Sequence, residues 1–541
     1  MFHTKTFKFG VTSVALSLAL AACSSEPTDE GAVDEDTGDA GEGEGEGEVV
    51  ETDDLIISNL SDIEAMDPHG VNDTPSSNVQ TNIFESLVSQ NEDMELQPLL
   101  AEDWEAVEED VWEFTLRDDV TFHDGSEFNA EVVKANIERI LDPDIASPRQ
   151  FLYEMVEEVV VVDDYTVQFV TEYPFAPLPS HLSHTGGSMI SLEVIEADYA
   201  KMEEEDAQPG EYINNNPIGT GFFEFEEWVS GEKVVLNNYE DYWGENAKVD
   251  SVTFQVTPED QTRIGELETG SAHIIDPVSP SDHSRVNSGE STLVNEQDSL
   301  SLSYISFNTQ KEPFDDPKVR KAISKAVDKD VIIDGLLEGF GTPAVAPIGP
   351  NVFGFSDEVT QLEYDVERAQ ELLAEAGYED GFETTIWTND SRDRQDIAEI
   401  VQAQLGEIGI DVSIEVLEWG AYLDNTAEGQ HDMFILGWST VTGDADYGLY
   451  ALFHSSNHGA EGNRSFIDNE ELDNLLDQGR READPEAREE IYEEAMEILA
   501  EEAPFINIHH QTFLVGLREE VQGFGQHPDG LFELQDVTIE Q

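Results

Sequence analysis

The stretch GWSTVTGDADYGLYALFHSSN, Gly437 to Asn457, gathers side chains suited to holding a small polar molecule. Ser439, Thr440 and Thr442 each offer a hydroxyl that donates one hydrogen bond and accepts others. Asp444 and Asp446 offer carboxylates to an ammonium group. Trp438 offers a flat apolar face with one N–H at its edge, and core packing is the competing role for it. Arg464, in GNRSF just beyond, can grip a carboxylate with two parallel N–H groups. A structural salt bridge is equally open to it in a chain with 120 Asp and Glu. Arg392 and Arg394, in WTNDSRDRQD, are second cationic candidates, although a solvated helix start explains them as well. Trp387 follows a strand-like run, where core packing outweighs stacking on a ligand. Thr220 and Gly221, in GTGFF, occupy a turn in which glycine lets backbone N–H groups approach a ligand, or which is purely structural.

Catalytic patterns do not emerge. There is no GxSxG, P-loop or HExxH sequence. His509 and His510 are adjacent, and neighbours on a strand point to opposite faces, so PFINIHHQ reads as a strand threading a core. His454 and His458 follow the polar loop without gathering into a ligand set. The expectation is a binding protein, not an enzyme, with neither metal nor cofactor.

The elements that must position these residues alternate between strand and helix. Leu55–Asn59 reads as a buried strand and Trp112–Leu116 as another. Asn129 is placed to cap a helix bearing Val132, Val133, Asn136, Ile137 and Ile140 on one face. VVVVDDYTVQFV reads as a hairpin turning at Asp163-Asp164. Asp316-Pro317 caps and opens a helix. Further helices run from Asp365 to Gly377 and through Ile397–Ile408, the latter breaking at Gly409 into the alternating strand Ile410–Val416. Met433–Leu436 is a short buried strand, followed by a long polar loop. Ligands of α/β sheets lie beyond the carboxyl ends of strands, which directs attention to that loop.

Composition bounds the rest. The formal net charge is −95, with only 25 Lys and Arg. Such density suits a surface kept hydrated at high salt, where charges are screened within a few ångströms. It excludes nucleic-acid binding, which needs basic patches. Lys5 and Lys8 precede the apolar run Val11–Ala22, which reads as a secretion signal and is too short to span a bilayer comfortably. Leu20-Ala21-Ala22-Cys23 resembles a bacterial lipobox, so Cys23, the sole cysteine, is expected to carry lipid. No intramolecular disulfide is then available. Residues 24–54 are almost all Glu, Asp, Gly and small residues, with nothing to bury, as in an extended tether. The remaining length calls for two or three lobes.

FTLRDDVTFHDGSEFNAEVVKANIERI (Phe114–Ile140), NPIGTGFFEFEEW (Asn216–Trp228), NNYEDYWGE (Asn237–Glu245), ISFNTQKEPFDDPKVRKAISKAVDKDVII (Ile305–Ile333), AQELLAEAGY (Ala369–Tyr378) and the Gly437–Asn457 loop occur in the order and spacing of a known family. The chain resembles the extracellular solute-binding proteins of family 5, which serve ABC importers of peptides, nickel and glutathione. The resemblance implies an α/β fold of the type II periplasmic-binding kind: two lobes, a hinge and an extra subdomain in the first lobe. It implies a first lobe of 55–89, 213–300 and 505–541, an extra subdomain at 90–212, and a second lobe at 301–504, after a signal peptide at 1–22 and a lipidated, acidic linker at 23–54. Tyr304 and Asn308 then fall near the hinge crossover, where family ligands touch the backbone. In peptide-binding relatives an aspartate three positions after the tryptophan holds the peptide amine; here that position is Val441. The loop is more similar to that of the glutathione-binding branch. The implied role is capture of glutathione or a short peptide by a monomer, for delivery to a permease and its ATPase. A nickel-chelate binder of the same fold is the alternative, and a surface sensor, adhesin or hydrolase on this scaffold is the alternative of another class.

Overall fold

The computed structural model describes residues 53–540 except Asp206, Glu461 and Ala483, so the signal segment, Cys23 and nearly all of the acidic linker lie outside the described residues. Strand β1 (Asp54–Asn59) buries Leu55 and Ile57 by simple alternation. Helix α1 (Thr74–Ile83) starts where the Asp73 carboxylate accepts from Ser76 N and Pro75 occupies the first turn. A four-stranded antiparallel sheet follows, built from β2 (Ala101–Glu108), β3 (Val111–Leu116), β4 (Val156–Asp163) and β5 (Thr166–Thr171) in the order β2–β3–β5–β4. Helix α2 (Ala130–Leu141) covers it, capped by Asn129 as its sequence predicts, and β4 and β5 form the expected hairpin.

The main sheet takes β6 (Phe223–Val229), β7 (Lys233–Asn238), β8 (Ser251–Val256), β9 (Ile274–Asp276) and the long β10 (Thr292–Phe307). Helices α3 (Pro317–Ala326) and α4 (Val366–Glu375) are capped by Asp316 and Asp365. Then come β11 (Phe382–Thr388), α5 (Arg392–Glu407), β12 (Ile410–Val416), α6 (Trp419–Ala427) and β13 (Met433–Ser439). The chain continues through α7 (Glu470–Arg481) and α8 (Pro485–Glu502) into the long β14 (Phe505–Arg518). The strand order is β12–β11–β13–β10–β14–β9–β1–β8–β7–β6, with Thr342–Pro343 laid against β14.

The fold depends on β10 and β14, which pair antiparallel along most of their length. Thr292–Asp298 pairs with Arg518–Thr512, and Leu302–Ser306 with His510–Phe505. The ladder breaks between Asp298 and Leu302, where Ser299 Oγ donates to the Gln511 carbonyl and Ser301 Oγ to Gln511 Oε1. On one side of the break lies a core containing Leu55, Ile83, Leu236, Val252 and Val515; on the other lies one containing Ile305, Ile323, Ile386, Val401 and Ile435. A third core joins the four-stranded sheet, through Phe114, Ile137 and Phe169, to Trp438, Tyr447 and Leu476.

The stretch after Leu436 departs from a long polar loop. Strand β13 extends to Ser439, and Asp446–Tyr450 forms a π-helical turn whose five residues are all buried. Its polar groups face other polar groups, not water.

Gly381 and Gly406 separate two roles of glycine. Gly381 has φ +76°, and a Cβ there would sit 1.8 Å from the Gly409 carbonyl oxygen. Gly406 lies inside α5 with nothing within 4 Å of its would-be Cβ. Urea unfolding is expected to show Gly381→Ala destabilised by more than about 1 kcal/mol. Gly406→Ala is expected to be stabilised by about 0.5–1 kcal/mol, because alanine restricts the unfolded chain and favours helix.

Candidate functional site

A cleft of about 350 Å³ lies over the break between β10 and β14. Ser301, Ser303, His509 and Gln511 form its floor. Asn72, Asp73, Arg149 and His184 stand on one wall. Arg394, Trp419, Trp438, Ser439, Val441 and Arg464 stand on the other.

Its lining brings three arginines, Arg149, Arg394 and Arg464, beside four acids, Asp73, Asp276, Asp393 and Asp529. Arg149 and Arg394 border the cleft, and among the described residues neither has a carboxylate within 4.0 Å. Eleven other described arginines are ion-paired. The Arg149 guanidinium bonds Asn72 Oδ1 and lies 3.3 Å from His184 Nε2. The Arg394 guanidinium donates to Asn389 Oδ1 at 3.1 Å and sits over the Trp419 ring at 5.7 Å. Burial pushes both guanidinium pKa values below their ordinary range. A buried cation without an anion is costly, so these positions favour an arriving carboxylate. Burial and the neighbouring Arg149 hold His184 neutral, far below the usual histidine value, while burial lowers His509 to about 4. Burial also raises the Asp73 carboxyl.

The structure divides the residues expected from sequence. Trp438, Ser439 and Arg464 border the cleft. Trp438 stacks on Tyr447 with ring centroids 5.2 Å apart, and Ser439 Oγ donates to the Asp529 carbonyl. Thr440 and Thr442 are buried in the turn behind them, where the Thr442 carbonyl accepts from Gln90. Asp444 takes two bonds from Arg488, at 2.8 and 3.0 Å, and Asp446 meets Arg480 at 3.0 Å. Tyr304 is fully buried and stacks on Phe505 at 4.1 Å. Asn308 holds the Gly429 and His431 carbonyls. Trp387 is packed beside His431. Thr220 donates to the buried Glu85, and a Cβ on Gly221 would lie 2.5 Å from the Asn82 carbonyl oxygen, so that turn is a packing contact. None of these nine residues, from Thr440 to Gly221 in the order given, lines the cleft.

Arg394 turns inward, whereas Arg392, the other cation of that segment, pairs outward with Asp282. His509 borders the cleft although its strand reads as core. Arg149 and His184 escaped sequence reasoning altogether. They come from SPRQF and LSHTGG, far from the loop in sequence, and only the topology brings them opposite Trp438.

A cleft between two lobes, floored by the strands that join them, defines a hinged solute-binding protein of the type II periplasmic-binding fold. The family model described as "Bacterial extracellular solute-binding proteins, family 5 Middle" matches residues 95–460. The chain belongs to that family. It is 30% identical over 495 residues to the glutathione-binding protein GsiB of Salmonella typhi, covering 90% of this chain and 94% of that one. The structure is similar to the periplasmic binding protein DppA of Helicobacter pylori in complex with the peptide STSA, at TM-score 0.82 and 31% identity, covering 90% of this chain and 98% of that one. It is similar also to the oligopeptide-binding protein AppA of Bacillus subtilis with a nonapeptide, at TM-score 0.83 and 25% identity, covering 90% and 99%.

Replacing a buried unpaired cation by an apolar side chain of similar length is neutral or stabilising. Arg394→Met is therefore expected to leave the ligand-free melting temperature unchanged or higher, by up to about 1 kcal/mol of stability. A clear fall in a thermal melt without ligand would show that Arg394 serves the scaffold.

Proposed function

We propose that this protein captures glutathione or a short peptide outside the cytoplasmic membrane and delivers it to the permease of an ABC importer, whose separate ATPase drives transport. The observation that carries this reading is the pair of guanidiniums, Arg149 and Arg394, facing one cleft without carboxylate partners among the described residues. Peptides and glutathione bring carboxylates, and a charge-assisted pair formed away from water is strong. The name of the 30% identical relatives points to glutathione. Val441 supports the same choice: it lines the cleft at the position where an aspartate would hold the amine of an α-linked peptide. The amine of a γ-linked glutamate sits elsewhere.

Capture proceeds by hinge closure about β10 and β14. Ligand touches both walls, so it stabilises the closed arrangement over the open one. Lipid on Cys23 anchors the chain to the outer face of the membrane, and the acidic linker tethers a monomeric binder at high effective concentration near its permease. The acidic surface keeps the protein hydrated at high salt.

Titration calorimetry and thermal melts of the mature protein at high salt test this with reduced glutathione and di- to hexapeptides. One of these ligands is expected to bind, and at a hundredfold excess over Kd to add about 2.7 kcal/mol of stability. Arg149→Ala and Arg394→Met are each expected to weaken that binding by about 1.5–3 kcal/mol, the range for hydrogen bonds to charged groups. Absence of heat and stabilisation with every ligand would overturn the cargo assignment.

A further inference from the structure

The carboxylate of Asp446 is 1% exposed, and it meets side-chain nitrogens from two directions. Arg480 Nε, on α7 of the same lobe, lies at 3.0 Å. His181 Nε2 lies at 3.1 Å and comes from the short helix Leu178–His181, on the opposite face. Arg480 itself reaches across to that face, donating to Glu154 Oε1 at 2.6 Å and to the Phe151 carbonyl at 2.9 Å. Its guanidinium lies 3.9 Å from the centre of the Tyr450 ring, and the Tyr450 hydroxyl donates to the same Glu154 oxygen. The Tyr447 hydroxyl is 2.9 Å from His184 Nε2, and its ring stacks on Phe151.

The segment that carries Phe151, Glu154, His181 and His184 is stitched to the side of the molecule that holds α1. Met189 N donates to the Glu85 carbonyl, Ser86 Oγ to the His184 carbonyl, and Arg139 pairs with Asp67 at 2.7 Å. Asp446, Tyr447, Tyr450 and Arg480 instead continue from β13 and α7. A rotation that opens the cleft about β10 and β14 must pull these two sets apart.

We propose that this cluster, with Asp446, Arg480 and His181 buried and Glu154 at its exposed edge, is a closure latch that forms as the lobes close and sets how long a ligand is held. It builds on the hinged-binder reading but not on the identity of the cargo. In the open form the Asp446 and Arg480 charges are hydrated; in the closed form they lose water and are compensated by the polar groups of the cluster. Removing one member therefore penalises the closed form alone, because it strands a partner in the interior. The latch is coupled to the ligand through side chains that border both places. Trp438 stacks on Tyr447, and Arg149 shares His184 with the Tyr447 hydroxyl. The four latch residues are positioning residues, since none lines the cleft.

The test compares Asp446→Asn, Arg480→Met and the milder Glu154→Gln with Arg488→Met. Arg488 is the control because its ion pair with Asp444 joins α8 to the loop of the same lobe and crosses no opening surface. Small-angle X-ray scattering of the ligand-free mature protein is expected to show a larger radius of gyration for the three latch variants and an unchanged one for Arg488→Met. Stopped-flow release of reduced glutathione is expected to accelerate about tenfold or more in the latch variants, with association changed by less than about threefold, since interface changes act mainly on dissociation. Lower melting temperature alone, shared equally by Arg488→Met, with wild-type scattering and release, would overturn the latch. If wild type fails to bind glutathione or any peptide, the cargo assignment fails, and scattering still decides the latch.

Discussion

The structure turns on two buried guanidiniums that stand in one cleft without an ion-pair partner among the described residues. The chain carries 120 acidic residues against 25 basic ones, yet Arg149 and Arg394 face the cleft with no carboxylate within reach among the described residues. Elsewhere arginine is used as an interior connector: Arg139, Arg263, Arg480 and Arg488 are all buried and ion-paired. An acid beside Arg149 or Arg394 would be easy to supply from such a composition. Its absence leaves a local demand for negative charge that a solute can meet, and the two guanidiniums stand on walls contributed by different parts of the fold.

The proposed capture requires the walls to move relative to one another. The crossing strands β10 and β14 give continuity, and the interruption of their ladder at Ser299–Ser301 gives a line about which the halves can turn. The loop beyond Trp438 then has two jobs. Its first residues reach the cleft, whereas Asp444 and Asp446 hold the protein together through Arg488 and Arg480. The cleft lining and the buried ion pairs are thus built from one short stretch, and the Trp438–Tyr447 stack joins them.

Much of the fold was legible because local rules and tertiary structure agree. Asn129, Asp316 and Asp365 cap the helices they precede, Gly409 takes the left-handed backbone at φ +88° where α5 ends, and alternation in Ile410–Val416 matches its strand. Family resemblance supplied the lobes and hinge, which periodicity alone does not contain. The site was legible in part. Trp438 and Ser439 reach the cleft as their place at a strand end suggests, and Arg464 as its place just beyond the loop does, but Thr440, Thr442, Asp444 and Asp446 turn away within a few residues. Residue type cannot separate these cases, since a hydroxyl or carboxylate suits a ligand and a buried arginine equally. Arg149 and His184 carried no signal at all, because the proximity that matters is to residues more than two hundred positions away in the chain, Trp438 and Arg394 among them.

The most direct test of the central claim neutralises the ligand's charge, not the protein's. Calorimetry would compare glutathione with its glycine amide and with an analogue amidated at the α-carboxyl of the γ-glutamyl residue, for wild type, Arg149→Ala and Arg394→Met. If the two guanidiniums hold ligand carboxylates, each amide binds wild type more weakly than glutathione does. Each arginine variant then loses its preference for one carboxylate while keeping the other. Equal affinity of wild-type protein for glutathione and both amides would contradict the account.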